Sequence, residues 1–259
     1  MTIAIITITP QGLIVGTRLK EHLMGDLYVS EAAVTERDIG VIRYNKDTRE
    51  LIDNIWGRYD SLIFIMAMGI VIRIIKDHIQ DKHKDPAVVV LDEGGRYAIS
   101  TLSGHEGGAN RLAEKVALIC RGDFVITTGS EAIKTLIVGM GCRRGASADR
   151  LEETMMVGLG TIDRQLKEVR LIASVEDKRG EKGFFQLSER LNIPLKFISK
   201  TWIKTVEDNF PKSELVKNTL GIYSVAEPCA ILGGFGCQLL LPKIKMKGTT
   251  IAIAEEKFL

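Results

Sequence analysis

The sequence has little of what would place it in a special class. It holds 6 prolines and 4 histidines in 259 residues, and no repeat or low-complexity tract. Cys120, Cys142, Cys229 and Cys237 form no CxxC pair. That argues against a disulfide scaffold or a zinc ribbon and for reduced thiols in a cytoplasm. His22, His78 and His83 show no metal-ligand spacing, so no protein metal site is expected. Charge of one sign is also lacking. Lys+Arg 35 against Asp+Glu 33 leaves +2, so no global basic field points to nucleic acid. A local basic site for a small anion stays open. The longest apolar run, Leu62 to Ile72, ends at Arg73. It falls short of the ~20 residues of a membrane-spanning helix. The opening MTIAIITITP has no basic residue before Arg18 and does not read as a secretory signal.

What is present is an ordinary globular composition, 45% hydrophobic and 26% charged, with 25 glycines. At ~100–200 residues per domain, the length suits two compact domains. Apolar runs of strand length at 3–8, 61–66, 87–91, 124–127, 136–140, 169–173, 195–198 and 249–254 alternate with helix-like stretches. From Ala109 the apolar residues Leu112, Ala113, Val116, Ala117 and Cys120 fall at helical spacing. A second helix shows Leu151, Met155 and Leu159 on one face. This alternation predicts two three-layer α/β domains with mainly parallel sheets. Their boundary falls in the segment Thr128-Gly129-Ser130-Glu131, dividing the chain into 1–132 and 133–259.

Four segments could carry chemistry. Ser103-Gly104-His105-Glu106-Gly107-Gly108-Ala109-Asn110 is a glycine-rich turn entering a helix, where backbone N–H groups and the helix dipole favour an anion. Histidine titrates near neutrality, so the turn offers a base for water beside donors for an oxyanion. The same residues also suit a tight turn with an exposed histidine. Asp92-Glu93-Gly94-Gly95 follows a strand, where a carboxylate could orient His105; the alternative is a hairpin turn. Gly139-Met140-Gly141-Cys142-Arg143-Arg144-Gly145 has neither dinucleotide-fingerprint nor P-loop spacing. Its two arginines at a helix start suit carboxylate or phosphate. Cys142 is either an activated thiol or a small buried one. In Val225-Ala226-Glu227-Pro228-Cys229-Ala230, Pro228 fits a first helical turn, and Glu227 either reaches a ligand or caps the helix.

Taken in order, MGIVIR (68–73), DPAVVVLDEGG (85–95), SGHEGGANRLA (103–113), VITT (125–128), VGMGCRRGAS (138–147), ASVEDKRGEKGF (173–184) and VAEPCAIL (225–232) resemble the cobalt-precorrin-5A hydrolase family of anaerobic cobalamin biosynthesis. The resemblance spans almost the whole chain. It departs in one place. Family members usually carry a longer middle segment, and here only 129–137 separates the two halves, so the chain resembles a compact variant.

The resemblance implies a cobalt-corrinoid substrate with a δ-lactone to C20. Water opens the lactone, C20 leaves with its methyl as acetaldehyde, and cobalt-precorrin-5B remains. The cobalt comes with the substrate, so no cofactor is implied. Laid on the matching motifs, this chemistry suggests His105 as base, with Glu106 or Glu93 orienting it and Glu227 as an acid in fragment release. The N–H groups of Gly107 and Gly108 would face the oxyanion. Arg73, Arg143 and Arg144 would clamp substrate carboxylates, and Ser103, Gly104, Asn110, Gly141 and Cys142 would line the substrate site. A flat macrocycle would lie in a cleft between domains. The rival readings are a non-catalytic corrinoid carrier and a nucleotide-binding module. A homodimer or other cobalamin-pathway enzymes are open as partners; nucleic acid and membrane are not expected.

Overall fold

A computed structural model describes residues 2–34, 40–45, 47–131 and 133–257. The chain divides into two α/β units with mostly parallel strands, Met1–Thr128 and Gly129–Leu259. Residue 132, the sequence-based boundary, lies outside the described residues.

In the first unit β1 (Ile3–Thr7), β2 (Asp26–Ser30), β3 (Ile42–Tyr44), β4 (Ser61–Ile65), β5 (Ala87–Leu91), β6 (Tyr97–Leu102) and β7 (Asp123–Val125) form one sheet, ordered β3-β2-β1-β4-β5-β6-β7. Its described neighbours pair in parallel except β5 and β6. The apolar runs of β1, β4 and β5 are continuous because both faces are covered. Ile3, Ile5, Ile63, Ile65, Val89 and Leu91 pack under α1 (Pro10–Leu23) and α4 (Ala109–Cys120). Ala4, Ile6, Leu62, Phe64, Val88 and Val90 face α2 (Thr48–Ile55) and α3 (Met68–Ile75). Helix α1 starts where Thr9 accepts the N–H of Gly12 at 3.1 Å and Pro10 opens the first turn.

The turn between β5 and β6 settles the role of DEGG. Asp92 accepts the N–H groups of Arg96 at 2.7 Å, Tyr97 at 2.8 Å and Gly94 at 3.2 Å, and Nε of Arg96 at 2.9 Å. Burial alone would raise its carboxyl pKa, but these donors more than offset that and hold it below the ordinary carboxylate value. A depressed pKa contributes stability above the ordinary carboxylate range, which is lost as pH falls through the folded value. Asp92→Asn is therefore expected to cost about 1–2 kcal/mol at neutral pH. Urea titrations of both proteins at pH 7 and under acid conditions check this: the two curves should converge in acid.

In the second unit β8 (Leu136–Cys142), β9 (Val169–Val175), β10 (Leu195–Ile198), β11 (Cys237–Met246) and β12 (Thr249–Glu256) are ordered β10-β9-β8-β12-β11. Three parallel strands are extended by an antiparallel hairpin. Helices α5 (Ala148–Thr161) and α6 (Lys182–Leu191) pack together, with α5 on β12. Short helices α7 (Lys200–Lys204) and α8 (Glu214–Leu220) precede α9 (Ala226–Gly233), which covers β8. Small residues permit that approach. Ala226 and Ala230 lie on Ala252 and Ala254, and a Cβ on Gly139 would stand 2.0 Å from the carbonyl oxygen of Ala226. Strand β11 was not visible in the sequence. It carries Pro242 and alternating lysines, tolerable because it is an edge strand with register shifts on either side of Leu241.

Candidate functional site

The loop after β6 is built by the residues that looked like ligand contacts. Ser103 turns the chain with φ 55 and donates its Oγ to the carbonyl of Asp85 at 3.0 Å. Carbonyls of Ser103 and Gly104 accept the first helical N–H groups, Ala109 at 3.2 Å and Asn110 at 3.0 Å. A Cβ on Gly107 would lie 2.4 Å from Cβ of Ser103. One on Gly104 would lie 2.8 Å from Oδ1 of Asn110. That Oδ1 accepts Oγ of Ser100 at 2.7 Å, while Nδ2 donates to Oγ1 of Thr128 at 3.0 Å. Ser103 and Asn110 are buried. Ser103, Gly104 and Asn110 are thus corrected from substrate contacts to loop architecture, and Gly107 has a steric reason of its own.

What the loop presents outward is His105 and Glu106, both exposed. The structure gives the imidazole no partner among the described residues. Glu106 accepts Nζ of Lys82 at 2.7 Å, and this contact holds its carboxyl below the usual range. Lys82 escaped the sequence reading because 24 residues separate the pair. The N–H groups of Gly107 and Gly108 have no acceptor among the described residues.

Glu93, expected to orient His105, and Arg73, expected to clamp substrate carboxylates, both lie away from the His105 loop. Strand β6 runs antiparallel to β5, with Val88 opposite Leu102 and Leu91 opposite Ala98. The DEGG turn and the His105 loop therefore sit at opposite ends of a five-residue strand, about 17 Å at ~3.3 Å per residue. Glu93 does not orient His105. Arg73, in the last turn of α3, donates Nη1 to the carbonyl of Gly69 at 3.1 Å. Its guanidinium thus reaches back to the start of α3, beyond the far end of β4 from the His105 loop.

The second unit holds a cavity of about 630 Å³ at the C-terminal end of β8. The turn after β8 brings Arg143 and Arg144 to it, the first turn of α5 brings Arg150, and the β11–β12 turn brings Lys247. No carboxylate lines it. The N–H of Arg143 donates to Gly248 at 2.8 Å, and Nη1 of Arg150 donates to the carbonyl of Lys247 at 2.8 Å. Two backbone segments are thereby joined into one wall. Ser147 caps α5 by accepting the N–H of Arg150 at 3.3 Å. Sequence reasoning found Arg143 and Arg144 but not Arg150 and Lys247. The available signal was a cation in a first helical turn, where the dipole disfavours it.

Two assignments in this unit change, and the two readings of Cys142 separate. Gly141 is buried, and a Cβ there would meet Oγ1 of Thr250 at 2.6 Å, so it serves packing. Glu227 is 2% exposed. Its carboxylate accepts Oγ of Ser224 at 3.1 Å, the N–H of Lys243 at 3.3 Å and Nζ of Lys243 at 3.3 Å. It is a buried structural ion, with no opening for an acid in fragment release. Cys142 is half-buried, and burial pushes its thiol up to about 11, the nearby Lys178 only partly opposing this. Burial of this kind favours the small buried thiol over the activated one. Iodoacetamide at pH 7 should leave Cys142 unmodified in the folded protein and label it in urea, which peptide mass mapping reads; rapid labelling of the folded form would overturn the assignment. Among the described residues no cluster of three or more metal-ligating side chains occurs, and no helix is long and apolar enough to cross a membrane.

Fold and site define a protein of two α/β units, the second carrying a pocket lined by cationic side chains. Residues 50–131 match the family model described as Cobalamin synthesis G N-terminal, and residues 136–254 match Cobalamin synthesis G C-terminus. The chain belongs to the cobalamin synthesis G family. It is 26% identical to the cobalt-precorrin-5A hydrolase of Salmonella typhimurium, with 97% of each chain covered. It is 24% identical to that of Priestia megaterium, covering 97% of this chain and 94% of the relative. The match to the Salmonella protein runs over 344 positions against 259 residues here, so that relative carries residues this chain lacks. Among solved structures, CobE, a protein from the cobalamin (vitamin B12) biosynthetic pathway, is 34% identical over 48% of this chain and 91% of its own, with a TM-score of 0.45.

Proposed function

We propose that this chain is a cobalt-precorrin-5A hydrolase. It opens the δ-lactone of a cobalt-corrinoid with water and releases C20 with its methyl as acetaldehyde, leaving cobalt-precorrin-5B. The observation that carries this reading is the match of both family models, in order, in one chain that aligns over 97% of its length with relatives of that name.

In the first unit His105 takes a proton from water as the water adds to the lactone carbonyl. Glu106, held by Lys82, stands next to it in the loop as a fixed negative charge. The N–H groups of Gly107 and Gly108 receive the oxyanion, which collapses to a free carboxylate and a C20 hydroxyl. That hydroxyl passes its proton to a solvent water as its C=O forms. The bond from C20 to the macrocycle breaks, and its electron pair stays with the macrocycle. In the second unit Arg143 and Arg144 hold substrate carboxylates and move no proton, since arginine keeps its charge near neutrality. The cobalt travels with the substrate, and the protein supplies no cofactor. The four cysteines are free thiols, in keeping with a cytoplasmic enzyme.

Incubation of the purified chain with cobalt-precorrin-5A, followed by trapping of acetaldehyde, tests the proposal. Stoichiometric acetaldehyde supports it. Corrinoid binding without acetaldehyde would replace it with the carrier reading.

A further inference from the structure

The cationic cavity of the second unit holds more charge than the two motif arginines explain. Arg143, Arg144, Arg150 and Lys247 reach it from three separate segments, with no lining carboxylate to balance them. None of the four is in an ion pair among the described residues. Glu181, which feels the charge of Arg144, has closer partners: it accepts the N–H of Gly145 at 2.8 Å and Nζ of Lys178 at 3.3 Å. Arg150 also sits in the first turn of α5, against the positive end of the helix dipole. Four like charges so arranged repel one another in the free protein, and a multivalent anion relieves that repulsion.

The arrangement is also held in place. One N–H of the Arg150 guanidinium is fixed to the Lys247 carbonyl, and the remaining N–H groups have no protein acceptor among the described residues. The backbone of Arg143 is pinned to Gly248. The Arg150 guanidinium is therefore tied to the turn that carries Lys247, and the backbone of that turn to the motif. A volume near 630 Å³ far exceeds one carboxylate and matches the ~300–1,000 Å³ of sites for larger small molecules.

We propose that Arg150 and Lys247 complete, with Arg143 and Arg144, a receptor for several carboxylates along one edge of a tetrapyrrole, so that the cavity selects substrates by carboxylate number. This rests on the corrinoid reading above and adds two specificity-determining residues to it. Guanidinium forks accept carboxylates two oxygens at a time, and the lysine adds a point charge.

The test uses the full chain and two metal-free porphyrins that differ in carboxylate number, the octacarboxylate uroporphyrin and the tetracarboxylate coproporphyrin. Binding is read by fluorescence at low ionic strength. Uroporphyrin should bind more tightly, and added salt should weaken it more. Arg150→Gln and Lys247→Gln should each weaken uroporphyrin about tenfold and narrow its advantage over coproporphyrin. The second variant keeps the Lys247 carbonyl that anchors Arg150, so it reports on charge even where Arg150→Gln loosens the hairpin. Unchanged affinity in Lys247→Gln, or equal affinity for the two porphyrins, overturns the inference. So does displacement by inorganic pyrophosphate at concentrations where citrate has no effect, which would mark a phosphate site. Acetaldehyde release from cobalt-precorrin-5A is read separately. A chain that releases it while both variants bind as the parent does loses this inference and keeps the hydrolase reading. A chain that releases none while both variants bind weakly does the reverse.

Discussion

His105→Asn is expected to lower the rate of acetaldehyde release by about 10²–10⁴, the usual size of general-base catalysis. Affinity for the corrinoid should be retained. The imidazole is exposed and has no partner among the described residues, so thermal stability should stay within about 0.5 kcal/mol of the parent. Asparagine keeps a polar group of similar reach but cannot take a proton near neutrality. Saturated turnover equal to the parent would remove His105 from the base role and make Glu106 the next residue to test. Reduced affinity with intact saturated turnover would assign His105 to the corrinoid rim. Single-turnover measurements at saturating substrate separate these outcomes.

Glu227→Ala is expected to cost about 3 kcal/mol of stability. The carboxylate, in the first turn of α9, is 2% exposed, while the side chain of Lys243 is 13% exposed. Removing the acid strands a nearly buried ammonium and leaves the N–H of Lys243 and Oγ of Ser224 without their acceptor. Such a loss is a large share of the ~5–15 kcal/mol by which domains are stable. Urea unfolding of the full chain should show a lower midpoint for the second unit. The double exchange Glu227→Leu with Lys243→Met should recover much of it, since paired apolar replacement of a buried ion pair is often neutral. A single variant as stable as the parent but without turnover would return Glu227 to the chemistry.

The contrast between these two residues follows from what a sequence pattern reports. Both stand in small-residue motifs near helix starts and look alike as carriers of chemistry. One protrudes from a loop and the other is buried in the first turn of a helix, and only the packing of α9 on β8 and β12 distinguishes them. The division into α/β elements was legible because hydrophobic period is local. Continuous runs such as Ala87–Leu91 mark strands buried on both faces, and the 109–120 spacing marks one apolar helical stripe. Capping is equally local, as at Thr9 with Pro10 and at Ser147. The order of motifs that pointed to the family was likewise present in the chain itself. The edge strand β11 was hidden because Pro242 and exposed lysines are loop signals anywhere but at an edge.

Strand direction and neighbourhood are different in kind. No periodicity states that β6 turns back against β5, yet that reversal is what carries His105 away from Glu93. Nor does any local pattern join Arg150 to Lys247, 97 residues apart, or Lys82 to Glu106. Composition and periodicity thus determined the two α/β units, their helix starts and the motifs themselves. The charges that meet around the cavity, and the motif residues that turned inward to build loops, were decided only in three dimensions. Hydrophobic burial depends on each residue's own face, whereas electrostatic company depends on which strands lie side by side.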